Sequence, residues 1–250
     1  MKKKLFSSLL FLVLTVFTLV MFGCKGDTGP AGAPGTTGES IIATTFQKDI
    51  YPSPGYTDVI DSYIVSNSFN SINYGAAENL YIGFFKNLLN LYGKERPVIK
   101  FDLTYLTGQN IVVKNAKLIL YVQYYYPTTI ASIDVNVYKI INHQFVENEV
   151  TWNKYNNSNN WSTAGGDYDS ANPVINKLSI TSNDIGKFVN FNLSPSLVQS
   201  WIDNPSDNYG IILIADKENT YSSTTYVDFA SSNTGIVYYR PKLTVYYTLN

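Results

Sequence analysis

From residue 41 onward, apolar and polar side chains alternate with a period of two along most of the chain. In residues 117–124, Leu118, Leu120, Val122 and Tyr124 share one face. In residues 132–138, Ile133, Val135 and Val137 stand against Asp134 and Asn136, and in residues 187–193, Val189, Phe191 and Leu193 stand against Asn190 and Asn192. The last segment alternates Leu243, Val245, Tyr247 and Leu249 with Lys242, Thr244, Tyr246 and Thr248. Such alternation is the mark of half-buried strands. Residues 210–215 (GIILIA) are solidly apolar, as a central strand covered on both faces would be. Turn residues gather between these runs, at 156–160, 165–167 and 204–207. One stretch departs from the pattern: Ser194-Pro195 opens a segment in which Leu197, Val198, Trp201 and Ile202 fall at helical spacing, and Asn204-Pro205 closes it. Many short strands with a single short helix, about 194–203, predict an all-β protein: a jelly-roll-like antiparallel β-sandwich spanning residues 41–250 as one domain. A parallel α/β architecture is excluded.

The first forty residues follow other rules. Lys2-Lys3-Lys4 precedes an apolar or hydroxyl run from Leu5 to Phe22, which ends at Gly23-Cys24. A short apolar segment behind a cationic start reads as an export signal. The single cysteine falls where a bacterial lipobox, which this stretch resembles, places the residue to be acylated. The expectation is a lipoprotein signal over residues 1–23 and a lipid anchor at Cys24, attaching the exported chain to the outer surface of the cell envelope. The alternative is an uncleaved anchor, since 18 helical residues span roughly 27 Å. Gly26, Gly29, Gly32, Gly35 and Gly38 then recur at every third position, the collagen period. Residues 24–40 therefore read as a collagen-like tether, extended, its five triplets reaching about 45 Å at roughly 3 Å per residue. A weak homotrimer through these repeats is the minority reading.

Composition narrows the function classes. One Cys and one His (Cys24, His143) leave no internal disulfide, no paired-thiol redox motif and no histidine-rich metal site. Charged residues are only 15% of the chain and the net charge is −1, so a nucleic-acid partner is not expected. Tyrosine is the unusual residue, with 21 copies. Aromatic rings on a sandwich surface stack on the apolar face of a sugar ring. Tyr124, Tyr125 and Tyr126, at a strand end before Pro127, and Trp161 and Tyr168, flanking a Gly- and Asn-rich loop, are the candidate ligand-binding residues. The competing reading is that these rings edge the sandwich or reflect an AT-rich coding bias. Trp152 and Trp201 read as core.

Other candidates point less sharply. Asp167 and Asp169 offer oxygens to a structural calcium, yet fall short of the full ligand set of a calcium loop, and turn capping accounts for them equally. No cofactor is expected. Glu147 and Glu149 lie two apart, at a carboxylate spacing that glycosidases share with many surface pairs. His143 with Arg96 and a tyrosine would be the raw material of a polysaccharide lyase, but both arginines precede proline, in Arg96-Pro97 and Arg240-Pro241, as at the start of strands. No nucleophile elbow or phosphate loop is present. A non-catalytic protein is expected.

Ordered fragments carry a family resemblance. They are Asp61-Ser62-Tyr63-Ile64, Asn73-Tyr74-Gly75, Leu80-Tyr81-Ile82-Gly83 and the run from Arg96 to Leu103. Next come Val135-Asn136-Val137-Tyr138, Glu149-Val150-Thr151-Trp152-Asn153 and Gly165-Gly166-Asp167-Tyr168. Last are Leu197-Val198-Gln199-Ser200-Trp201-Ile202, Asn208-Tyr209-Gly210, Phe229-Ala230-Ser231 and Arg240-Pro241-Lys242-Leu243. The set resembles the DNRLRE, or disaggregatase-related, domain, which is similar to carbohydrate-binding module family 96. Phe145 stands where that family usually has Trp. The resemblance implies a jelly-roll-like sandwich, usually on a secreted or surface protein, with glycan binding in some members; it does not imply catalysis. The resulting expectation is a surface lipoprotein presenting a module for a polysaccharide or glycoconjugate. The alternatives are a structural or adhesion protein with a protein partner, or a polysaccharide lyase or hydrolase.

Overall fold

The computed structural model describes residues 39–250 apart from positions 176, 217 and 220–222. The expected export signal, Cys24 and the five glycines of the Gly-X-Y pattern lie outside the described residues. Strands β1 (Ile42–Phe46), β2 (Val59–Val65), β3 (Asn79–Lys86), β4 (Tyr92–Phe101) and β5 (Ile111–Tyr126) form the first half. Strands β6 (Ile133–Ile140), β7 (Lys154–Asn156), β8 (Asn159–Asn160), β9 (Tyr168–Pro173), β10 (Leu178–Ile180) and β11 (Phe188–Leu193) follow. The predicted helix is α1 (Pro195–Asp203), and β12 (Ile211–Ala215), β13 (Thr225–Ala230) and β14 (Lys242–Leu249) complete the chain.

All pairings are antiparallel, as an all-β sandwich requires. The sixteen-residue β5 belongs to both layers. Its first part lies between β14 and β11, and its last residues pair with β13. From β13 the second layer continues through β3 and β4 to β12, β6 and β10, with β2 on the free side of β4. The alternating apolar faces meet between the layers: Leu118 and Leu120 of β5, Val135 and Val137 of β6, Phe191 of β11 and Leu243 of β14 belong to one core with Ile99, Leu213 and Phe229. Helix α1 adds Val198, Trp201 and Ile202 to it. Fully burying such side chains contributes about 1.5–3 kcal/mol each, and a chain without disulfides depends on that.

A second core lies on the other side of β2, β4, β12 and β6. Ile64, Val98, Ile212 and Ile214 carry it, which is why the β12 segment is apolar on both faces. The segment between β6 and β9 covers these residues with Phe145, Val150 and Trp161. Phe145 is a fully buried ring.

Candidate functional site

The site grows out of strand register. On β13, Asp228 lies opposite Tyr81 of β3 on one side and Tyr124 of β5 on the other. Two residues away, Tyr226 lies opposite Gly83 and Tyr126. Gly83 in turn faces Glu95 of β4, and Glu95 faces Val65 of β2. Two neighbouring rows therefore run across the sheet, one through Tyr124, Asp228 and Tyr81, the other through Tyr126, Tyr226, Gly83, Glu95 and Val65. Leu80, Ile82, Val227 and Phe229 alternate with these residues and enter the main core, leaving Tyr81, Tyr226 and Asp228 on the opposite face.

The rings on these rows touch. Tyr81 meets Tyr63 edge to face at 5.3 Å and Tyr226 at 5.2 Å, and Tyr63 stacks on Tyr74 at 4.3 Å. Tyr226 continues the series to Tyr126, stacked at 5.9 Å, and to Tyr124 at 6.3 Å. Tyr74 is held by its neighbours: the Asn73 side-chain amide donates to the carbonyls of Glu147 (2.9 Å) and Val150 (2.8 Å). Gly75 has no room for a Cβ against the Glu147 carbonyl, so this turn sits directly on the 147–150 backbone. Together Tyr63, Tyr74, Tyr81 and Tyr226, with Phe69 and Phe85, wall a cavity of about 320 Å³.

Among the described residues Glu95 is the one charged side chain lining that cavity. Along β4, the side of the strand that carries Glu95 goes on to carry Ile99 and Phe101, both of them core residues. A carboxylate thus occupies the end of a core-facing row, 7% exposed. Burial and the nearby Asp228 carboxylate push its pKa up to about 8. Asp228 is itself raised to about 6 by burial, against the opposing pull of Asn79, whose amide donates to it at 2.7 Å, and of Gln123. The phenols respond in kind. Burial, Asp228 and Glu95 raise Tyr81 to about 12, and Tyr63, Tyr74 and Tyr226 are also held above the ordinary tyrosine value.

The five residues singled out from sequence do not converge. Tyr124 and Tyr126 are exposed and stand at the rim of the tyrosine series, while Tyr125 is fully buried in the main core and its hydroxyl donates to the Ile130 carbonyl. A register shift between β5 and β13 is the cause. Phe229 faces Val122 and Asp228 faces Tyr124, so β5 carries one extra residue there and its buried positions pass from 118, 120 and 122 to 125. The strict alternation that set Tyr124 beside Leu118 and Leu120 fails at that point. Trp161 is 4% exposed in the second core, where its indole N–H donates to the Thr151 carbonyl. Tyr168, half-buried, packs on Tyr138 at 5.1 Å beside Arg96. These two are walls of the second core rather than a ligand face. Trp201 is core as expected, and Trp152 packs partly buried against the second core under the Arg96 guanidinium.

The other candidates hold structure together. Arg96 donates to both carboxylate oxygens of Glu218 (2.9 and 2.5 Å) and to the Gly165 carbonyl at 2.8 Å, all of it buried. His143 meets Asp167 at 2.9 Å and stacks on Tyr155. Burial alone would raise Asp167, but the Ser162 and Thr163 amides and His143 hold its carboxyl below the usual range. Both of its oxygens are thus taken by turn capping, and Asp169 bonds Asn172. Glu147 accepts the Asp61 amide, and Glu149 accepts the Asn157 amide. None of these groups lines the tyrosine cleft. Sequence did hold a signal for the cleft: counting back by twos from Phe101 and Ile99 puts a glutamate on a core-facing row.

The chain is thus an all-β sandwich with an open, tyrosine-walled cleft on one sheet. A family model for the disaggregatase related repeat domain matches residues 66–245, and the chain belongs to that family. The match takes in Tyr74, Tyr81, Glu95, Tyr226 and Asp228, with Tyr63 just ahead of it. No curated protein matches the chain.

Proposed function

We propose that this chain is a non-catalytic carbohydrate-binding protein of the cell surface and that the tyrosine cleft is its ligand site. The observation that supports this reading is the row of rings from Tyr74 through Tyr63, Tyr81 and Tyr226 to Tyr126, beside carboxylates able to accept sugar hydroxyls. Ring faces take the C–H side of a pyranose, and polar neighbours fix its orientation. Membership of the family and the export signal point the same way. The tether and lipid at Cys24 would hold many copies on one surface, so that weak single sites act together. A glycan array with the full chain, followed by calorimetry on the hits, tests the reading. Tyr81→Ala and Tyr226→Ala should each weaken binding about tenfold, as the loss of about 1.4 kcal/mol of ring contact predicts. Tyr105→Ala, an exposed tyrosine outside the cavity lining, should leave it unchanged. Absence of binding across acidic, neutral and amino glycans would end the proposal. Metabolic labelling with palmitate, lost in Cys24→Ser, tests the anchor.

A second reading, adhesion to a protein partner, draws on the tip between β3 and β4, where Leu88 and Leu89 are almost wholly exposed. A partner lost in Leu88→Asp/Leu89→Asp but retained in Tyr81→Ala would favour it.

A further inference from the structure

The chemistry of the cleft narrows the ligand class, an inference that rests on the cleft being the binding site. Glu95 is more than nine-tenths buried, lines the cavity, and its Oε2 has no hydrogen-bond partner among the described residues. A buried carboxylate oxygen left without a donor is costly, and a folded chain that keeps one calls for an explanation. The four phenol rings around it add the negative faces of their π systems, and Asp228 adds a second carboxylate within electrostatic reach of both Glu95 and Tyr81.

Among the described residues no basic side chain answers this concentration of negative potential. The chain neighbours of Glu95 are Lys94 and Arg96, which strand alternation turns to the other side, and Arg96 is committed to Glu218. The titratable groups facing Glu95 are Tyr63 of β2, Tyr81 of β3, Tyr226 and Asp228 of β13, and Tyr74 of the preceding turn. All are phenols or acids. A hard metal ion is poorly matched to the site, because it asks for about six or more oxygens and the walls are rings. No cluster of three or more potential ligands is found among the described residues. A cation enclosed by aromatic faces with one carboxylate behind it is instead the arrangement that holds an organic ammonium group.

We infer that the cleft recognises a cationic nitrogen carried on the glycan, a free-amine hexosamine or a choline-type substituent, with the Tyr63, Tyr81 and Tyr226 rings around the nitrogen and Glu95 as its counter-ion. The cavity of about 320 Å³ suits one such group, and the exposed Tyr124 and Tyr126 continue the surface for the adjoining sugar. With the Glu95 carboxyl raised to about 8, capture of a fixed cation at pH 7 expels about one proton.

The test uses titration calorimetry of the full chain with four probes, and with calcium chloride as a separate control. These are choline, its neutral carbon isostere 3,3-dimethylbutan-1-ol, the glucosamine tetramer at pH 6, and the fully N-acetylated tetramer. Choline should bind at least tenfold tighter than the isostere, and the glucosamine tetramer at least tenfold tighter than the acetylated one. Choline binding at pH 7 should release about one proton, read from the dependence of the heat on buffer ionisation. Glu95→Gln should abolish both preferences and the proton release, and Tyr81→Leu should weaken choline at least fivefold. Equal binding of the amine and acetylated tetramers overturns the inference and leaves the glycan reading standing. Binding of choline without any gain from attached sugar upholds the ammonium site and overturns the glycan reading. Failure of all four probes, or tighter binding of calcium alone, overturns the inference.

Discussion

Replacing Glu95 by Gln should stabilise the domain, by an amount that grows with pH. The carboxyl ionises near its ordinary 4.5 in the unfolded chain and at about 8 in the fold, where burial and Asp228 disfavour the charge. Below about pH 4.5 both states are protonated and the glutamate carries no penalty. Between 4.5 and 8 the folded state keeps a proton that the unfolded state has lost, so stability falls by about 1.4 kcal/mol per pH unit. Above 8 the penalty is complete, on the order of 4–5 kcal/mol for a displacement of about 3.5 units. Gln is nearly isosteric and never ionises. Urea unfolding of wild type and variant at pH 4.5, 6, 7 and 8 should give curves that coincide at the lowest pH and separate steadily above it. Asp61, raised to about 7 by burial, tilts both proteins alike, so the difference between the curves reads Glu95 together with its repulsion from Asp228. A gap that does not change with pH, or a variant less stable than wild type at pH 8, would refute the account of Glu95 as a buried, uncompensated acid.

Other substitutions test the frame around the cleft. Trp161→Ala, a truncation in the second core, should cost about 3–5 kcal/mol in urea unfolding while leaving ligand affinity of the folded fraction unchanged. Arg96→Met strands the buried Glu218 and should lower stability by about 3–5 kcal/mol, and Arg96→Met/Glu218→Leu should recover most of it. Gly83 has φ +137°, and a Cβ there would lie 2.2 Å from the Thr225 carbonyl oxygen. Gly83→Ala should therefore cost about 1–3 kcal/mol or more by thermal unfolding, and should weaken choline binding because β3 and β13 carry the cleft rows.

The sandwich was legible because its signals are local. Period-two alternation located β6, β11 and β14 within a residue or two, the unbroken apolar run at 210–215 located β12, and Ser194-Pro195 with Leu197, Val198, Trp201 and Ile202 located α1. The site was less legible, for two physical reasons. Solvent exposure of a loop aromatic was inferred from its Gly- and Asn-rich neighbours, but the segment that holds Trp161 covers the outer face of β2, β4, β12 and β6 and buries a second core there. Nothing local to Trp161 reveals that a sheet lies beneath it. The register shift at Tyr124 is the second reason, since an extra residue in one strand is invisible to alternation until its partner strand is known.

That shift also decides what the abundance of tyrosine means. Tyr125 is core, and Tyr121 stacks on Tyr239 at 3.8 Å away from the cleft. Tyr63, Tyr81 and Tyr226, three rings on three different strands, meet around one carboxylate. A coding bias would supply tyrosines to all these positions alike, with no preference for the surroundings of Glu95. A glutamate on a core-facing row is a different matter, since composition does not relieve the cost of burying it. An aliphatic residue at position 95 would continue the row of Ile99 and Phe101 and remove that cost. The fold bears an acid where a hydrophobe would stabilise it, nothing among the described residues offsets that cost, and the ammonium group proposed for the cleft is what would.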